Sequence, residues 1–534
     1  MRTAKRMGLR TIAVYSDADR DAPHVRAADA SVHIGGSSPK DSYLNVDSIL
    51  SAARSTGADA VHPGYGFLSE NDNFSIEIQK ENLVWIGPPP AAIRAMGDKA
   101  NAKAIAAKAG VPVLPTYEKD PEFPVMIKAL AGGGGRGIRI VHSASDFQQA
   151  LKRARSEAEH SFGNGRVMLE NALLNPRHIE VQIFADSQGN CIHLGERDCS
   201  VQRRHQKLIE ESPSPAVDAK LRAAMGEAAV AMARAAGYVG AGTVEFLLGE
   251  DGRFWFMEMN ARLQVEHPVT EMLTGLDLVE WQLRVAAGER LPAKQDDVHF
   301  SGHAIEVRLC AEDPEQDFLP QAGTLARWEP SGAVRVEHAL ESGMAIPPFY
   351  DSMIAKLIAH VPARESARAT RDEAREKLAA ALDETVALGV PTNKDFLASI
   401  LRSRSFANGE ATTEFLSHFS VEGEAFGEWA GWSNNPAHRS RGSEGFFRRN
   451  APDDAPLRGS ASDGRLLAPM NGRVVAVNAK SGDTIEAGKA LVVLEAMKME
   501  HGLQLPFAVQ VNAIHVMAGA QVAPGSLLVE FEPA

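Results

Sequence analysis

The C-terminal segment 464–534 contains an internal repeat, which constrains its fold more than any other feature of the chain. SGDTIEAGKALVVLE begins at Ser481 and AGAQVAPGSLLVEFE begins at Ala518, and glycine and leucine recur at one constant offset. Two copies of a hairpin-rich half predict a small pseudo-symmetric β-sandwich. In LVVLEAMKMEHGLQL, the run from Ala496 to Lys498 lies near the midpoint, where a turn between two strands would project a side chain.

The composition is that of a soluble protein with several domains. The chain has 534 residues, 44% of them hydrophobic and 23% charged, and at roughly 100 to 200 residues per domain we expect three or four domains. No apolar run approaches the ~18 residues of a membrane helix. The net charge of −13 argues against non-specific nucleic-acid binding, although local Arg and Lys clusters can hold small anions. Cys191, Cys199 and Cys310 lack CxxC spacing, so we expect no disulfide framework, no zinc site and a cytoplasmic location.

The pattern of strands and helices changes along the chain. Residues 1–90 alternate TIAVYS, ADAVHP and LVWIG with helical stretches, which predicts an α/β unit with a parallel sheet. A helix closed by Gly8 and a buried strand at 11–15 would open this unit in the middle of a βαβ pattern, with its first strand missing. Mixed helices and strands then predict α+β architecture. The predicted division is 1–90, 91–295, 296–417, a mostly extended linker at 418–463 and the β-sandwich at 464–534.

A glycine-rich loop follows the predicted strand VMIKAL. In AGGGGRG, Gly133, Gly134 and Gly135 would let backbone N–H groups approach phosphate oxygens. The loop lacks the GK[ST] ending of a Walker motif, so it requires a different nucleotide fold, and a merely flexible loop is the alternative. Lys128 lies on the strand, and Lys99 lies in the first turn of a helix capped by Asp98, where a cation is unfavourable unless an anion is near. Surface lysines remain the alternative for both.

The run TVEFLLGEDGRFWFMEMN predicts a hairpin with two facing carboxylates. If Asp251 and Gly252 form a two-residue type I′ turn, Glu250 pairs with Arg253 and Glu245 lies opposite Glu258. Facing like charges are destabilising, so a bound cation is the natural compensation, and oxygen ligands of this kind suit Mg²⁺. Asn260 shares the strand face of Glu258. An exposed hairpin with solvated acids is the alternative.

The motif EAMKME resembles the modification signature of the biotin carboxyl carrier domain. This resemblance implies that a biotin protein ligase attaches biotin to Lys498. A lipoyl domain has the same fold, but acidic and small residues typically flank its lysine, where this chain has Met497 and Met499. The alternative is that Lys498 is an unmodified, solvent-exposed lysine.

The long motifs GERDCSVQRRHQKLIEESP (195–213) and MNARLQVEHPVTE (259–271), together with the glycine loop and the hairpin, resemble the biotin carboxylase domain of the ATP-grasp superfamily over residues 1–417. The resemblance implies ATP, bicarbonate and biotin as ligands. The implied nucleotide contacts are Lys99, Lys128, Gly133, Gly134, Gly135, Glu170, His178, Gln202 and His205. The implied ligands of Mg²⁺ (or Mn²⁺) are Glu245 and Glu258, with Asn260 close by. The implied bicarbonate site is Lys207, Arg262, Gln264, Val265 and Glu266, and Arg335 would face biotin.

These residue types suit the implied chemistry. Bicarbonate is a poor nucleophile near neutral pH, and Glu266 would take its proton as it attacks the γ-phosphate. Arg262 suits bidentate capture of a planar oxyanion, and Lys207 would hold the carboxyphosphate formed. Arg335 would stabilise the enolate that develops on biotin. Taken singly, each of these residues would also fit a structural salt bridge, but five residues at the family's spacing within one short segment favour the catalytic interpretation.

The resemblance implies the α-subunit of a biotin-dependent acyl-CoA carboxylase, of the methylcrotonyl-CoA or geranyl-CoA type, with a separate carboxyltransferase β-subunit and homo-oligomeric carboxylase domains. The sequence departs from the family at its start, in a short lid before Lys128, and at 418–463, where a β-rich partner-binding domain is usual. The short interval leads us to expect weak binding of the β-subunit. Alternatives are a propionyl-CoA or acetyl-CoA carboxylase α-subunit, and a biotinylated carrier whose truncated carboxylase half is inactive. The identity of the acyl-CoA stays open.

Overall fold

The computed structural model describes residues 1–130, 138–162, 164–419, 464–470, 472–496, 499–523 and 525–533. The glycine loop with Gly133, Gly134 and Gly135, most of the predicted linker, and Lys498 lie outside the described residues.

The N-terminal part contains two separate pairs of parallel strands. Its elements are α1 (Arg2–Arg6), β1 (Ile12–Ser16), α2 (Pro23–Ala27), β2 (Ala30–Gly35), α3 (Val46–Thr56), β3 (Ala60–Val61), α4 (Asp72–Lys80) and β4 (Val84–Trp85). Strand β1 pairs with β2, and β3 pairs with β4, both in parallel. The prediction of parallel strands in this part is confirmed, although within residues 1–130 no ladder joins β1 to β3. The prediction of a buried strand at 11–15 was wrong, because β1 has a neighbour on one edge and buries only Ala13 and Ser16.

A small four-stranded sheet follows two helices. Its elements are α5 (Pro90–Gly97), α6 (Lys99–Lys108), β5 (Thr116–Tyr117), β6 (Val125–Ala129), β7 (Ile138–Val141), α7 (Ala144–Phe162) and β8 (Val167–Asn171). The predicted cap of α6 is confirmed, because Asp98 accepts a hydrogen bond from the Asn101 N–H at 2.9 Å. The strand order is β5-β8-β6-β7, so β6 and β8 are adjacent.

One antiparallel sheet of eight strands joins the middle of the chain to the part that follows it. The elements up to residue 286 are β9 (Arg177–Ala185), β10 (Cys191–Arg203), β11 (Gln206–Ser212), α8 (Ala219–Ala235), β12 (Gly240–Leu248), β13 (Phe254–Asn260), α9 (His267–Thr274) and α10 (Leu278–Ala286). Those from 303 on are β14 (His303–Cys310), β15 (Glu312–Asp313), β16 (Leu319–Pro320), β17 (Gly323–Leu325), β18 (Arg327–Glu329), β19 (Arg335–His338), β20 (Met344–Ile346), β21 (Met353–Val361), α11 (Ala367–Glu384), β22 (Val386–Leu388), α12 (Lys394–Arg402), α13 (Arg404–Ala407) and α14 (Phe415–His418). The order β13-β12-β9-β10-β11-β14-β21-β19 crosses the predicted boundary at 295/296.

The turn of the β12–β13 hairpin differs from the predicted turn, whereas the pairing of its two acids agrees with the prediction. The Gly249 N–H donates to the Arg253 carbonyl at 2.9 Å, so the loop has three residues, with Gly252 at φ +77°. The predicted two-residue turn, and with it the pair Glu250–Arg253, was therefore wrong. A bulge between Glu245 and Phe246 shifts the register by one residue, and Glu245 lies opposite Glu258 as predicted.

The C-terminal part is a sandwich of two four-stranded sheets, as the internal repeat predicts. Its strands are β23 (Arg465–Leu467), β24 (Gly472–Val477), β25 (Thr484–Ile485), β26 (Ala490–Ala496), β27 (Met499–Gln504), β28 (Val509–Ile514), β29 (Gln521–Val522) and β30 (Leu527–Pro533). The sheet orders are β23-β30-β28-β25 and β27-β26-β24-β29. Ala496 pairs with Met499, so this ladder flanks Lys498 on both sides.

The three largest of the six hydrophobic core clusters among the described residues belong to different parts of the chain. The first joins α4, α5, α6 and α8 to one face of β9, β12 and β13, and the second packs α11 and α12 against β14 and β21. The third fills the C-terminal sandwich. Among the described residues, no helix combines the length and the hydropathy that crossing a membrane requires.

Candidate active site

The centre of the candidate site is the buried ammonium group of Lys207. Its Nζ donates to Glu180 Oε2 at 2.5 Å, to Glu266 Oε1 at 2.7 Å and to Glu245 Oε1 at 2.9 Å. The Lys207 side chain is 9% exposed, and the three carboxylates are 5% exposed or less. The Lys207 ammonium therefore pairs with three acids that are buried away from bulk water. Without such a partner, none of these acids would stay charged there.

Strand register brings two of these acids, Glu180 and Glu245, together with Glu258. Glu245 on β12 lies opposite both Glu180 on β9 and Glu258 on β13, so three carboxylates form a row across adjacent strands. Arg197 lies opposite Glu180 on the far side and donates to it at 2.5 Å. The row carries more negative charge than cross-strand pairing tolerates, and Lys207 and Arg197 compensate it.

Coulombic interactions fix the charges of the cluster. Burial alone would raise the pKa of Glu266, but Lys207 and Arg308 hold that pKa well below its usual value. Burial likewise opposes ionisation of Glu245, and Lys207 and His178 outweigh it and lower the pKa of Glu245. The same acids hold the pKa of Lys207 well above its usual value against the effect of burial. Glu245, Glu266 and Lys207 are consequently all charged near neutral pH.

A second set of contacts orients the segment from Asn260 to Glu266. Arg262 donates to Glu70 Oε2 at 3.0 Å, to Gln264 Oε1 at 2.7 Å and to Asn260 Oδ1 at 3.2 Å. Gln264 in turn donates to Glu245 Oε1 at 3.3 Å. The predicted residues Arg262, Gln264, Lys207 and Glu266 thus form one connected network. Val265 lies between Gln264 and Glu266, and its backbone carbonyl accepts a hydrogen bond from Lys356, which is outside this network.

The predicted metal ligands fit a hard cation in part. Glu245 and Glu258 face each other, and partial burial together with the Glu245 carboxylate raises the pKa of Glu258. Two facing carboxylates whose charges repel each other suit Mg²⁺, which prefers oxygen ligands. Asn260 does not offer its oxygen to them, because its Nδ2 donates to Glu245 Oε1 at 2.9 Å and its Oδ1 accepts from Arg262.

The ligand atoms of two further trios lie within 4.8 Å of one another. These trios are His178, Glu180 and Glu245, and Glu180, Cys199 and Glu266. Imidazole and thiolate suit softer metals than Mg²⁺, and Lys207 already neutralises the carboxylates of both trios.

The predicted nucleotide contacts fall into two groups beside this network. Glu170 on β8 forms ion pairs with Lys128 on β6 and with Lys103 on α6. Lys99, at the start of α6, lies 3.8 Å from Glu258 Oε2, so it has the nearby anion that its place in the first helical turn requires. His178 Nε2 lies 3.0 Å from Glu245 Oε2 and connects the nucleotide set to the central cluster.

Gln202 and His205 lie on the β10–β11 hairpin. Gln202 pairs across the strands with Lys207. Arg204 and His205 form the tight turn, with φ values of +48° and +67°. This left-handed backbone turns the chain sharply enough to place Gln202 and Lys207 side by side.

Arg335 lies apart from the central cluster. Its guanidinium pairs with Glu271 at 2.8 Å and with Glu337 at 2.8 Å. Together with Glu271, Trp281 and Arg6 it lines a cavity of about 810 Å³. Among the described residues, no hydrogen bond or ion pair joins Arg335 to Lys207, Arg262 or Glu266.

Sequence reasoning missed several residues of the site. They are Glu70, Lys103, Glu180, Arg197, Glu210, Glu306 and Arg308. A signal was present for some of them, because HIEVQIFA and HAIEVRLC place charged residues at alternate positions of otherwise apolar strands. Such charges are costly to bury without partners, so they indicate a polar network inside the fold.

Four family models match the chain in order. They are "Biotin carboxylase, N-terminal domain" at 1–93, "Carbamoyl-phosphate synthase L chain, ATP binding domain" at 90–294, "Biotin carboxylase C-terminal domain" at 306–418 and "Biotin-requiring enzyme" at 465–531.

Named relatives match the same regions. The mitochondrial methylcrotonoyl-CoA carboxylase subunit alpha of Dictyostelium discoideum is 49% identical over 432 residues, which cover 78% of this chain and 61% of that protein. Its counterpart from Rattus norvegicus is 37% identical over 658 residues, covering 100% of this chain and 91% of the relative. The chain thus spans about three fifths of the Dictyostelium protein (61%).

A solved structure matches the first four fifths of the chain. It is the biotin carboxylase domain dimer of Hydrogenobacter thermophilus 2-oxoglutarate carboxylase, in complex with MgADP, ADP and bicarbonate. It is 43% identical, has a TM-score of 0.74, and the match covers 78% of this chain and 93% of that one.

Proposed function

The chain belongs to the family of biotin carboxylases and methylcrotonoyl-CoA carboxylase alpha subunits, and on that basis we propose that it carboxylates a biotin attached to its own Lys498, with ATP and bicarbonate as substrates. The observation that carries the proposal is the contact of Lys207 with Glu180, Glu245 and Glu266 beside Arg262. In this network the Lys207 ammonium and the Arg262 guanidinium can hold an oxyanion, and the Glu266 carboxylate can take its proton.

In the proposed reaction, Glu266 takes the proton of bicarbonate. In the described state Glu266 is a weak base, because Lys207 and Arg308 stabilise its ionised form. When bicarbonate and phosphate draw the Lys207 ammonium toward themselves, Glu266 loses one of these cations and its basicity rises. The substrate anion thereby activates the base, which links proton transfer to the presence of both substrates.

Arg262 and Gln264 would position bicarbonate. Arg262 has planar donors that match an oxyanion, and Glu70 and Asn260 hold its guanidinium in place. Mg²⁺, held by Glu245 and Glu258 with the nucleotide phosphates, would neutralise the charge of the transferred phosphoryl group. Lys99, Lys128, Glu170, His178, Gln202, His205 and the glycines 133–135 would contact the nucleotide.

Biotin would enter the cavity beside Arg335. The guanidinium of Arg335 is neutralised by Glu271 and Glu337 in the described state, so it must exchange one of these partners for the ureido oxygen of biotin. Its place at the wall of the 810 Å³ cavity supports this role. In the proposed sequence of two half-steps, carboxyphosphate forms first and biotin is carboxylated next.

We propose that a separate carboxyltransferase β-subunit receives the carboxyl group and that a biotin protein ligase modifies Lys498. The names of the relatives favour methylcrotonoyl-CoA as the final acceptor. The dimer of the Hydrogenobacter domain supports a homodimer through the carboxylase part. The alignment with the rat protein is 658 residues long against 534 in this chain, so the rat protein carries residues that have no counterpart here. We retain weak β-subunit binding and a cytoplasmic location as proposals.

The second candidate is a biotinylated carrier with an inactive carboxylase half, and the named relatives, which are carboxylase subunits, do not support it better than the first. Bicarbonate-dependent ATP hydrolysis in the presence of free biotin separates the two candidates.

The test of the proposed base is Glu266→Gln. We expect loss of bicarbonate-dependent ADP release by about 100-fold or more, because a general base typically contributes 10²- to 10⁴-fold. The affinity for ATP should stay unchanged, because the hydrogen-bond partners of Glu266 are Lys207 and Arg308, neither of which belongs to the predicted nucleotide contacts. The exposed Glu365→Gln has the same change of charge and serves as control. A near-normal rate for Glu266→Gln would show that another group is the base.

A further inference from the structure

Two buried acids face each other behind the proposed base. Glu210 on β11 lies directly opposite Glu306 on β14, and both side chains are 0% exposed. Among the described residues, Glu210 Oε2 and both carboxylate oxygens of Glu306 have no hydrogen-bond partner. Two ionised carboxylates in this arrangement would repel each other in a region from which water is excluded.

The neighbouring cations are committed to other groups. Arg308 donates to Glu210 Oε1 at 2.6 Å and to Glu266 Oε2 at 3.0 Å, and it makes no such contact with Glu306. Lys356 donates to the Val265 carbonyl, and its Nζ is 4.0 Å from Glu306 Oε1, which is beyond hydrogen-bond distance. Neither cation therefore satisfies Glu210 Oε2 or the two oxygens of Glu306.

We propose that Glu210 and Glu306 share one proton across β11 and β14, and that this proton keeps Arg308 bound to Glu266. In this arrangement protonated Glu306 donates its O–H to Glu210 Oε2, which satisfies two of the three unpaired oxygens. Glu306 is then a positioning residue that acts on the proposed base through Arg308. The proposal rests on the proposed function only in this last link.

The surroundings of Glu306 favour its protonated form. Burial is the largest effect and raises the pKa of Glu306 to about 8, and Glu210 and Glu266 add to it while Lys356 and Arg308 oppose it. Burial also raises the pKa of Glu210 against the opposing effect of Arg308. The groups that face Glu306 are Glu210 from β11, Arg308 from β14, Lys356 from β21, Glu266 from the segment before α9, and Tyr65, whose pKa is raised by burial and by Glu306.

Loss of the shared proton would weaken the site in a defined direction. A second negative charge beside Glu210 attracts the Arg308 guanidinium away from Glu266. Because Glu306 holds its proton more tightly when folded than when unfolded, stability is highest below the unfolded pKa of 4.5 and falls as the pH rises through about 8. Glu306→Gln removes this dependence, since its amide is always neutral and its N–H still donates to Glu210.

Thermal unfolding without substrates tests the shared proton. We expect the Tm of Glu306→Gln to equal that of the wild type at about pH 5 and to exceed it by about 10 °C or more at about pH 9. Glu210→Gln should also flatten the fall in Tm with pH, because it removes the facing charge. Glu365→Gln, exposed and with the same change of charge, should track the wild type. Parallel Tm–pH curves for the wild type and for both buried variants would overturn the proposal.

The pH profile of bicarbonate-dependent ATP hydrolysis tests the link to Glu266. We expect the wild-type kcat to fall above about pH 8, and the kcat of Glu306→Gln to hold its value there. If kcat falls equally above about pH 8 in the wild type and in Glu306→Gln, the pair of Glu210 and Glu306 does not act on Glu266. If the wild type hydrolyses no ATP in a bicarbonate-dependent way, the proposed function fails, while the unfolding curves still decide whether the proton is shared.

Discussion

Replacement of Lys207 by Gln should destabilise the central sheet, because it removes a cation that contacts three buried carboxylates. Loss of one partner from a buried ion pair costs about 3 to 5 kcal/mol. Each acid retains another donor: Glu180 keeps Arg197 at 2.5 Å, Glu266 keeps Arg308 at 3.0 Å and Glu245 keeps His178 at 3.0 Å. The free energy of unfolding should therefore fall by about 3 kcal/mol, at the lower end of this range.

The pH dependence of this loss identifies its cause. Without Lys207 the pKa values of Glu245 and Glu266 rise, since that ammonium is the strongest influence lowering both against burial. At neutral pH the variant holds uncompensated charge, and protonation relieves it as the pH falls. The loss of unfolding free energy relative to the wild type should therefore become smaller as the pH is lowered from about 7 to about 5.

Thermal unfolding with the exposed Lys152→Gln as control measures the effect. A loss of about 3 kcal/mol corresponds to a Tm lower by about 6 to 12 °C for a domain of 150 to 250 residues. Lys152→Gln should shift the Tm by less than 2 °C or so, because surface substitutions cost little. A Lys207→Gln protein with a wild-type Tm, or with a deficit independent of pH, would refute the electrostatic account of the cluster.

Further predictions concern other parts of the chain. Streptavidin blotting of Lys498→Arg should lose all signal, and a persistent band would show that another residue carries biotin. Glu211→Gln should lower the unfolding free energy by about 3 kcal/mol at neutral pH, because it breaks the buried contact with Arg371 at 2.6 Å. Burial opposes ionisation of Glu211, but Arg371 and His303 lower its pKa to about 2, so this stabilisation is present above 4.5 and is lost as the pH falls through about 2. A Glu211→Gln deficit that persists at the acid end would contradict this assignment. Glu258→Gln should raise the Mg²⁺ concentration needed for half-maximal ATP hydrolysis by about tenfold, and an unchanged Mg²⁺ dependence would remove Glu258 from the ligands.

The sequence predicts the facing acids of the β12–β13 hairpin, but for a reason that the structure corrects. The predicted turn was one residue too short, and the bulge beside Glu245 restores the register between turn and acids. A bulge depends on the packing of both strands against their neighbours, and the composition of one hairpin does not specify it. The pair Glu245–Glu258 was thus predicted correctly because two errors cancel: the predicted turn was one residue too short, and the bulge was not predicted.

Contacts between distant segments account for what the sequence could not predict. Lys207 reaches Glu180, Glu245 and Glu266 because β9, β11 and β12 belong to one sheet, and their order is not encoded in any local pattern. Arg308 reaches Glu266 because that sheet continues into residues beyond 303. Local signals such as the Asp98 cap and the C-terminal repeat, by contrast, depend on neighbouring residues and were predictable.

Transfer of isotope from bicarbonate to the chain tests the central claim most directly. The biotinylated protein is incubated with ATP, Mg²⁺ and ¹⁴C-bicarbonate, and the label bound to protein is counted after gel filtration. We predict label on the wild type that requires ATP and that is absent from both Lys498→Arg and Glu266→Gln. Biotinylated wild-type protein that stays unlabelled, or label that persists in Lys498→Arg, would contradict the account.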